Sequence, residues 1–212
     1  MMNKTYKYIY TLLCYCITGF GISLTIRANI GVSCFNSLNL AISNASGIKI
    51  GTITIILNLI FLLGYMLLTS FSTPIKYSLQ IISTILLGFF INASIYYVTP
   101  YLHLDSYLSK LLTFIIGTTI AGLSTGMIIN LNIITFPLES LCHALSGMLK
   151  YSFLKLRYSF DIIFIVLSIT LSYFFKIQFF VREGTIISLI LLSASINLAK
   201  SIYLKYKLTS KE

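Results

Sequence analysis

The chain has 212 residues, of which 57% are hydrophobic and only 9% charged, against roughly 25% charged in a soluble domain. With a mean hydropathy of +0.92, this excludes a water-soluble globular protein and points to an integral membrane protein. The formal net charge of +10 does not call for nucleic acid, because the basic residues sit between or beyond apolar runs, where they set topology.

Six apolar runs follow one another, at residues 6–26, 50–69, 77–98, 111–131, 158–175 and 184–203. Each is about long enough for a helix to cross a hydrocarbon core of roughly 30 Å. None alternates with the ten-residue pattern of a barrel strand, so a helical bundle is expected. Lys4 and Lys7 precede the first run as in a signal peptide, but the run is long and five more follow, which predicts an uncleaved first helix. Cys14 and Cys16 lie in that run while Cys34 and Cys142 stand alone, so the cysteines are read as small packing residues. His103 and His143 have no ligand spacing to a second His or Cys, and neither a metal nor a cofactor is assigned.

Beyond the first run the chain is interrupted at residues 27–36, and beyond the fourth at residues 130–139. Each interruption reads as a break followed by a new helix start. Ser33 or Thr135 is expected to cap, Pro137 suits an early helical position, and Asn36 or Glu139 falls near the first turn. The segments that follow, residues 35–44 and 136–148, are too short to span. They are expected to be re-entrant or interfacial helices.

The two interruptions belong to a repeat. Residues 19–61 align without gaps on residues 122–164, with identities at Gly19/Gly122, Asn29/Asn132, Ile30/Ile133, Ser37/Ser140 and Leu38/Leu141, and again at Ala41/Ala144, Ser43/Ser146, Ile60/Ile163 and Phe61/Phe164. About four matches would arise by chance in so biased an alphabet. The same register sets Asn58 against Asp161. Three spans per copy is an odd number, so the second copy enters the membrane in the opposite direction. The predicted fold is an all-α polytopic membrane bundle in one domain, residues 1–212, with two inverted three-helix repeats at about 6–98 and 111–203. Secondary transporters share this architecture.

With the N-terminus inside, ten basic residues lie on the cytoplasmic side (Lys4, Lys7, Lys76, Lys150 and Lys155, then Arg157, Lys200, Lys205, Lys207 and Lys211). Arg27, Lys49, Lys110, Lys176 and Arg182 lie outside. This bias predicts both termini in the cytoplasm. The tail of Lys205, Lys207 and Lys211 is read as a topology anchor, with contact to anionic membrane lipids as the alternative.

At the breaks the chain resembles the YczE/YyaS/YitT group of bacterial membrane proteins, whose halves carry a pattern near Gly-x-Gly-[apolar]3-x-Ala-Asn-[apolar]-Gly-x-x-Pro-x-Asp. Gly19-Phe20-Gly21 through Ala28-Asn29-Ile30-Gly31 matches well, with Cys34 for the proline and Asn36 for the acid. The second copy keeps Asn132, Pro137 and Glu139, but has Leu131 and Ile134 in place of small residues. Arg157 with Asp161, and Gly184 with Thr185, approach two further stretches of that group. The resemblance implies a bacterial inner-membrane protein whose biochemical role is unsettled.

Asn29 and Asn132 either cap the breaks or coordinate a solute, and intramembrane amides serve both ends. Glu139 is either a helix-dipole partner or a group handling protons or cations. Arg157 and Asp161, four apart, are expected to form a structural ion pair near the cytoplasmic boundary. Gly88 with Asn92 and Ser193 with Asn197 are expected to mark helix-packing faces. No catalytic motif occurs, and the chain holds five acids in all, so an enzyme is not expected. The leading expectation is a small-solute permease whose site is lined by Asn29, Asn36, Asn132 and Glu139. The alternatives are a substrate-binding subunit of an energy-coupling transporter and a non-transporting accessory protein. The first of these would need an Ala-x-x-x-Ala-like docking stripe, which Gly19 and Ser23 alone approach on the first helix. Association with a second copy is compatible with all three.

Overall fold

The structure, a computed structural model, describes residues 4–209, with side chains from 6 to 205. Lys211, and the side chains of Lys4 and Lys207, lie outside the described set. Among the described residues the chain is wholly helical, with eight α-helices and no strand. These are α1 Lys4–Ala28, α2 Cys34–Ser46, α3 Ile50–Leu68, α4 Pro74–Ala93, α5 Tyr107–Leu131, α6 Pro137–Leu149, α7 Phe153–Phe174 and α8 Glu183–Thr209. One π-helical turn, Ser94–Val98, and a 3-10 turn, Thr99–Tyr101, prolong α4.

Five helices, α1, α3, α4, α5 and α8, are long and apolar enough to cross a membrane. This makes the protein membrane-embedded. The sixth expected span falls on α7, a helix of 22 residues with Lys155, Arg157 and Asp161 in its first half, and it is not among these five. The two short segments are helices of 13 residues each, α2 and α6, which at 1.5 Å per residue fall well short of a bilayer core.

Local geometry carries the repeat further than the identities do. Both breaks turn on an asparagine in the left-handed region, Asn29 at φ 53° and Asn132 at φ 49°, a conformation that asparagine tolerates better than most residues. Both short helices end on a left-handed residue, Gly47 and Lys150. In both, a serine folds back over that turn: the Ser43 hydroxyl donates to Ile48 O at 2.6 Å and the Ser146 hydroxyl to Tyr151 O at 2.7 Å.

The expected caps fall out differently. Ser33 occupies the N-cap position of α2, yet its side chain makes no capping bond. At α6 the N-cap is Phe136, because Pro137 takes the first helical position and Thr135 turns its hydroxyl to Ser140 Oγ at 2.6 Å.

The helices pack both across the two halves and within them. α1 lies along α5, α2 packs on α7, and α6 packs on α3, while α4 braces α1 and α8 braces α5. The starts of the short helices meet inside: Cys34 and Leu38 of α2 share a buried cluster with Leu138 and Cys142 of α6 around Phe164. The matched rings Phe61 and Phe164, near the middles of α3 and α7, lie 5.8 Å apart. Phe136, just before α6, sits 4.7 Å from the ring of Tyr15, near the middle of α1. The chain therefore turns back into the bundle after each break before the short helix begins.

Where helices press together, glycine permits it. A Cβ on Gly21 would meet Gly117 O at 2.8 Å and Ala121 N at 2.7 Å, and one on Gly117 would meet Gly21 O at 2.8 Å. Thr18 and Ser124 add a buried hydroxyl bond of 2.8 Å across the same α1–α5 seam. Asn92 joins α4 to α3, accepting from Gly51 N at 2.8 Å and donating to Thr52 Oγ1 at 3.3 Å, as its packing reading requires. Ser193 and Asn197 are instead exposed. The α8 face against α5 is built from Ser195 and Ala199, which lie on Gly122 and Gly126.

Gly21→Leu or Gly117→Leu should each destabilise the bundle by about 1–3 kcal/mol through overpacking. Gly147 has nothing within 4 Å of its missing Cβ, so Gly147→Ala should be neutral or stabilising by up to ~1 kcal/mol from helix propensity. Denaturant midpoints of the purified variants in one detergent decide this, and equal effects at all three sites would refute the close-approach account.

Candidate functional site

Each break frees backbone groups that must find partners away from water, and in both cases the partner comes from the opposite half. At the first break, Arg182 Nη1 donates to Asn29 O at 3.0 Å and Gly184 N to Ile30 O at 2.9 Å, so the start of α8 closes the end of α1. Gly31, at φ 127°, lies so close to Gly184 and Thr185 that a side chain would strike Thr185 N at 2.8 Å. At the second break, the fully buried Gln80 of α4 donates from Nε2 to Thr135 O at 2.8 Å and to Ser140 Oγ at 2.7 Å. The two asparagines themselves are exposed and shape the turn with their backbones.

The four residues expected to share one site therefore separate. Asn29 lies at the end of the bundle where α1 stops and α8 starts. Asn132 lies at the other end, next to Ile133, which borders a shallow pocket with Tyr8 and the 72–76 turn. Asn36 and Glu139 instead occupy the first turns of α2 and α6, whose starts come together inside the bundle.

Around Glu139 the structure gathers a small charged centre. Arg157 Nη1 bonds Asp161 Oδ1, the expected i,i+4 pair, while Arg157 Nε stands 3.8 Å from Glu139 Oε1. One cation thus serves two carboxylates. Glu139 Oε2 is buried with no hydrogen-bond partner, and so is the hydroxyl of Tyr15, a residue that is 0% exposed. Phe136, three residues before Glu139, packs on the ring of Tyr15 at 4.7 Å. The positive end of the α6 dipole favours a carboxylate at this position, but it leaves the second oxygen and the phenol unsatisfied. Such groups are what a bound solute, ion or proton would meet.

A separate cavity of about 500 Å³ opens at the end of the bundle marked by Asn29. That volume falls within the roughly 300–1,000 Å³ of small-molecule sites. Its wall includes Arg27, Asn29, Lys110, Gln178 and Arg182, with Ile26, Leu40 and Ile95 supplying apolar surface.

Sequence reasoning missed Gln80 and Tyr15. Gln80 is a lone amide within an apolar helix, a signal that was available, whereas nothing in the sequence brings Tyr15 to Phe136. Cys34 and Cys142, read as packing residues, are buried in the central cluster as expected.

A family model described as a family of unknown function, DUF6198, matches residues 5–201. The chain is also similar to the uncharacterized protein YyaS of Bacillus subtilis (strain 168), at 30% identity over 163 residues, which covers 77% of this chain and 80% of that protein. This bears out the resemblance carried by the break motifs. No solved structure matches.

Arg157→Gln should destabilise the protein by ~2 kcal/mol, since it leaves two carboxylates without their shared cation. Adding Glu139→Gln to that variant should recover part of the loss, and a strictly additive pair of changes in unfolding midpoint would dismiss the shared-cation account. Gln80→Leu should cost about 1–3 kcal/mol, because it strands the Thr135 carbonyl and leaves the Ser140 hydroxyl with Thr135 Oγ1 alone. An unchanged midpoint for Gln80→Leu would show that the second break does not need its brace.

Proposed function

The chain belongs to the family of unknown function DUF6198, and from that footing we propose that it is a small-solute permease of the bacterial inner membrane rather than an enzyme. Six helices, α1, α3, α4, α5, α7 and α8, cross the bilayer, and α2 and α6 are re-entrant. The two halves, about 6–98 and 111–203, are inverted repeats, with both termini in the cytoplasm.

One observation carries the reading. The first turns of two half-length helices, one from each half, converge inside the bundle beside a carboxylate with one buried, unsatisfied oxygen and a buried phenol without a partner. Discontinuous helices that meet between repeats are how many secondary transporters build a solute site out of backbone and a few side chains. The substrate-lining set becomes Asn36 and Glu139, with Tyr15 added, while Asn29 and Asn132 act as hinges at opposite ends. Arg157 and Asp161 hold the Glu139 carboxylate in place.

The energy-coupling alternative finds less support. Its docking stripe would be Gly19 and Ser23, yet Gly19 abuts Leu87 O of α4 and Ser23 is fully buried, so neither is offered to a partner.

The test is thermal unfolding of the purified protein in mild detergent against a broad panel of metabolites and ions. A ligand that binds the native state must raise the midpoint, by an amount corresponding to about 2.7 kcal/mol at one hundred times its dissociation constant. At least one solute is expected to do so in the wild type but not in folded Glu139→Gln or Asn36→Ala, and to move into vesicles containing the protein. No stabilising solute and no flux across the panel would reject the permease reading.

A further inference from the structure

Five basic residues fall on the outer side in the proposed topology, and three of them, Arg27, Lys110 and Arg182, line the cavity of about 500 Å³. Short external loops of inner-membrane proteins tend to be poor in Lys and Arg, so their grouping round one opening is not what topology alone produces. His103 joins them, and Asp105 is the one carboxylate in the wall.

Within the wall the two guanidiniums are held by carbonyls rather than by carboxylates. Arg27 Nη2 donates to Leu102 O at 3.1 Å and Arg182 Nη1 to Asn29 O at 3.0 Å. Each contact fixes one edge of a guanidinium that has five donors. Glu183 stands 3.8 Å from Arg182 Nε but lies outside the wall. The described residues offer the ammonium of Lys110 no hydrogen-bond or ion-pair partner. The amide of Gln178 adds a neutral donor, and Ile26, Leu40 and Ile95 give the cavity an apolar flank.

We infer that this cavity binds a small organic anion through its carboxylate or phosphate group, with Lys110, Arg27 and Arg182 as charge partners and the apolar flank taking the rest of the molecule. This names the substrate class of the permease and rests on that reading for its outward side. The same chemistry would fit the head of an anionic lipid, so the source is a matter for experiment.

Thermal unfolding of the purified full-length protein, at constant ionic strength, uses benzoate, succinate and inorganic phosphate as free probes. Dihexanoylphosphatidylglycerol is the lipid probe, with benzamide and dihexanoylphosphatidylcholine as uncharged and zwitterionic controls. At least one anion should raise the midpoint while its control does not. Lys110→Gln should weaken the apparent affinity about tenfold, the size of one charge-assisted bond. Lys110→Arg should keep it, and Lys176→Asn, an outer cation away from the cavity, should leave it unchanged. A Lys110-dependent shift with the soluble anions assigns a free solute, and one confined to the phosphatidylglycerol assigns a lipid head. The inference is overturned if no anion acts through Lys110, including the case where a neutral or cationic solute stabilises the protein through Glu139, which would leave the permease reading intact. Lys110-dependent anion binding without flux into vesicles would do the reverse, keeping the site and removing the permease.

Discussion

A peptide group freed inside a membrane has no water to turn to, and this bundle depends on how two such openings are closed. The chain breaks after α1 and after α5, and each break is sealed by a helix of the other half: α8 through Arg182 and Gly184, α4 through Gln80. Packing follows the same rule, since each short helix lies mainly on a long helix of the opposite copy. Neither half closes by itself. The interleaving fixes where the starts of α2 and α6 come to rest, and hence where Asn36 and Glu139 can stand.

The charged centre and the cavity at the Asn29 end differ in kind. The centre places two carboxylates and one guanidinium among apolar neighbours, with a phenol and a carboxylate oxygen lacking partners. A low dielectric raises the stakes of every unmet group there. The cavity has the opposite balance, with cations in excess of carboxylate.

Much of the architecture was readable from the sequence, because apolar length and the 103-residue repeat are properties of the chain itself. The helix set, the two breaks and the Arg157–Asp161 pair follow from them. The grouping of Asn29, Asn36, Asn132 and Glu139 did not survive, for a geometric reason: matched positions in a repeat need not be neighbours, and the two asparagines lie at opposite ends. The second copy's departure at Ile134 also makes sense only in three dimensions. Gly31 is needed where backbone meets backbone at α8, whereas the second break is met by the long side chain of Gln80, and Ile134 is free to bury itself in the core. Ser193 and Asn197 echo Gly88 and Asn92 in sequence but not in contact, because α8 leans on α5 while α4 also packs on α3.

The bond between Arg182 and Asn29 joins residues 153 positions apart. A ribosome delivers the first of these long before the second, so the carbonyls of Asn29 and Ile30 wait through the synthesis of most of the chain. Until the last helix enters, the nascent protein carries an unsealed turn at the end of α1. A chain cut short before α8 would keep that turn open, and the final helix is therefore the clasp of the first break.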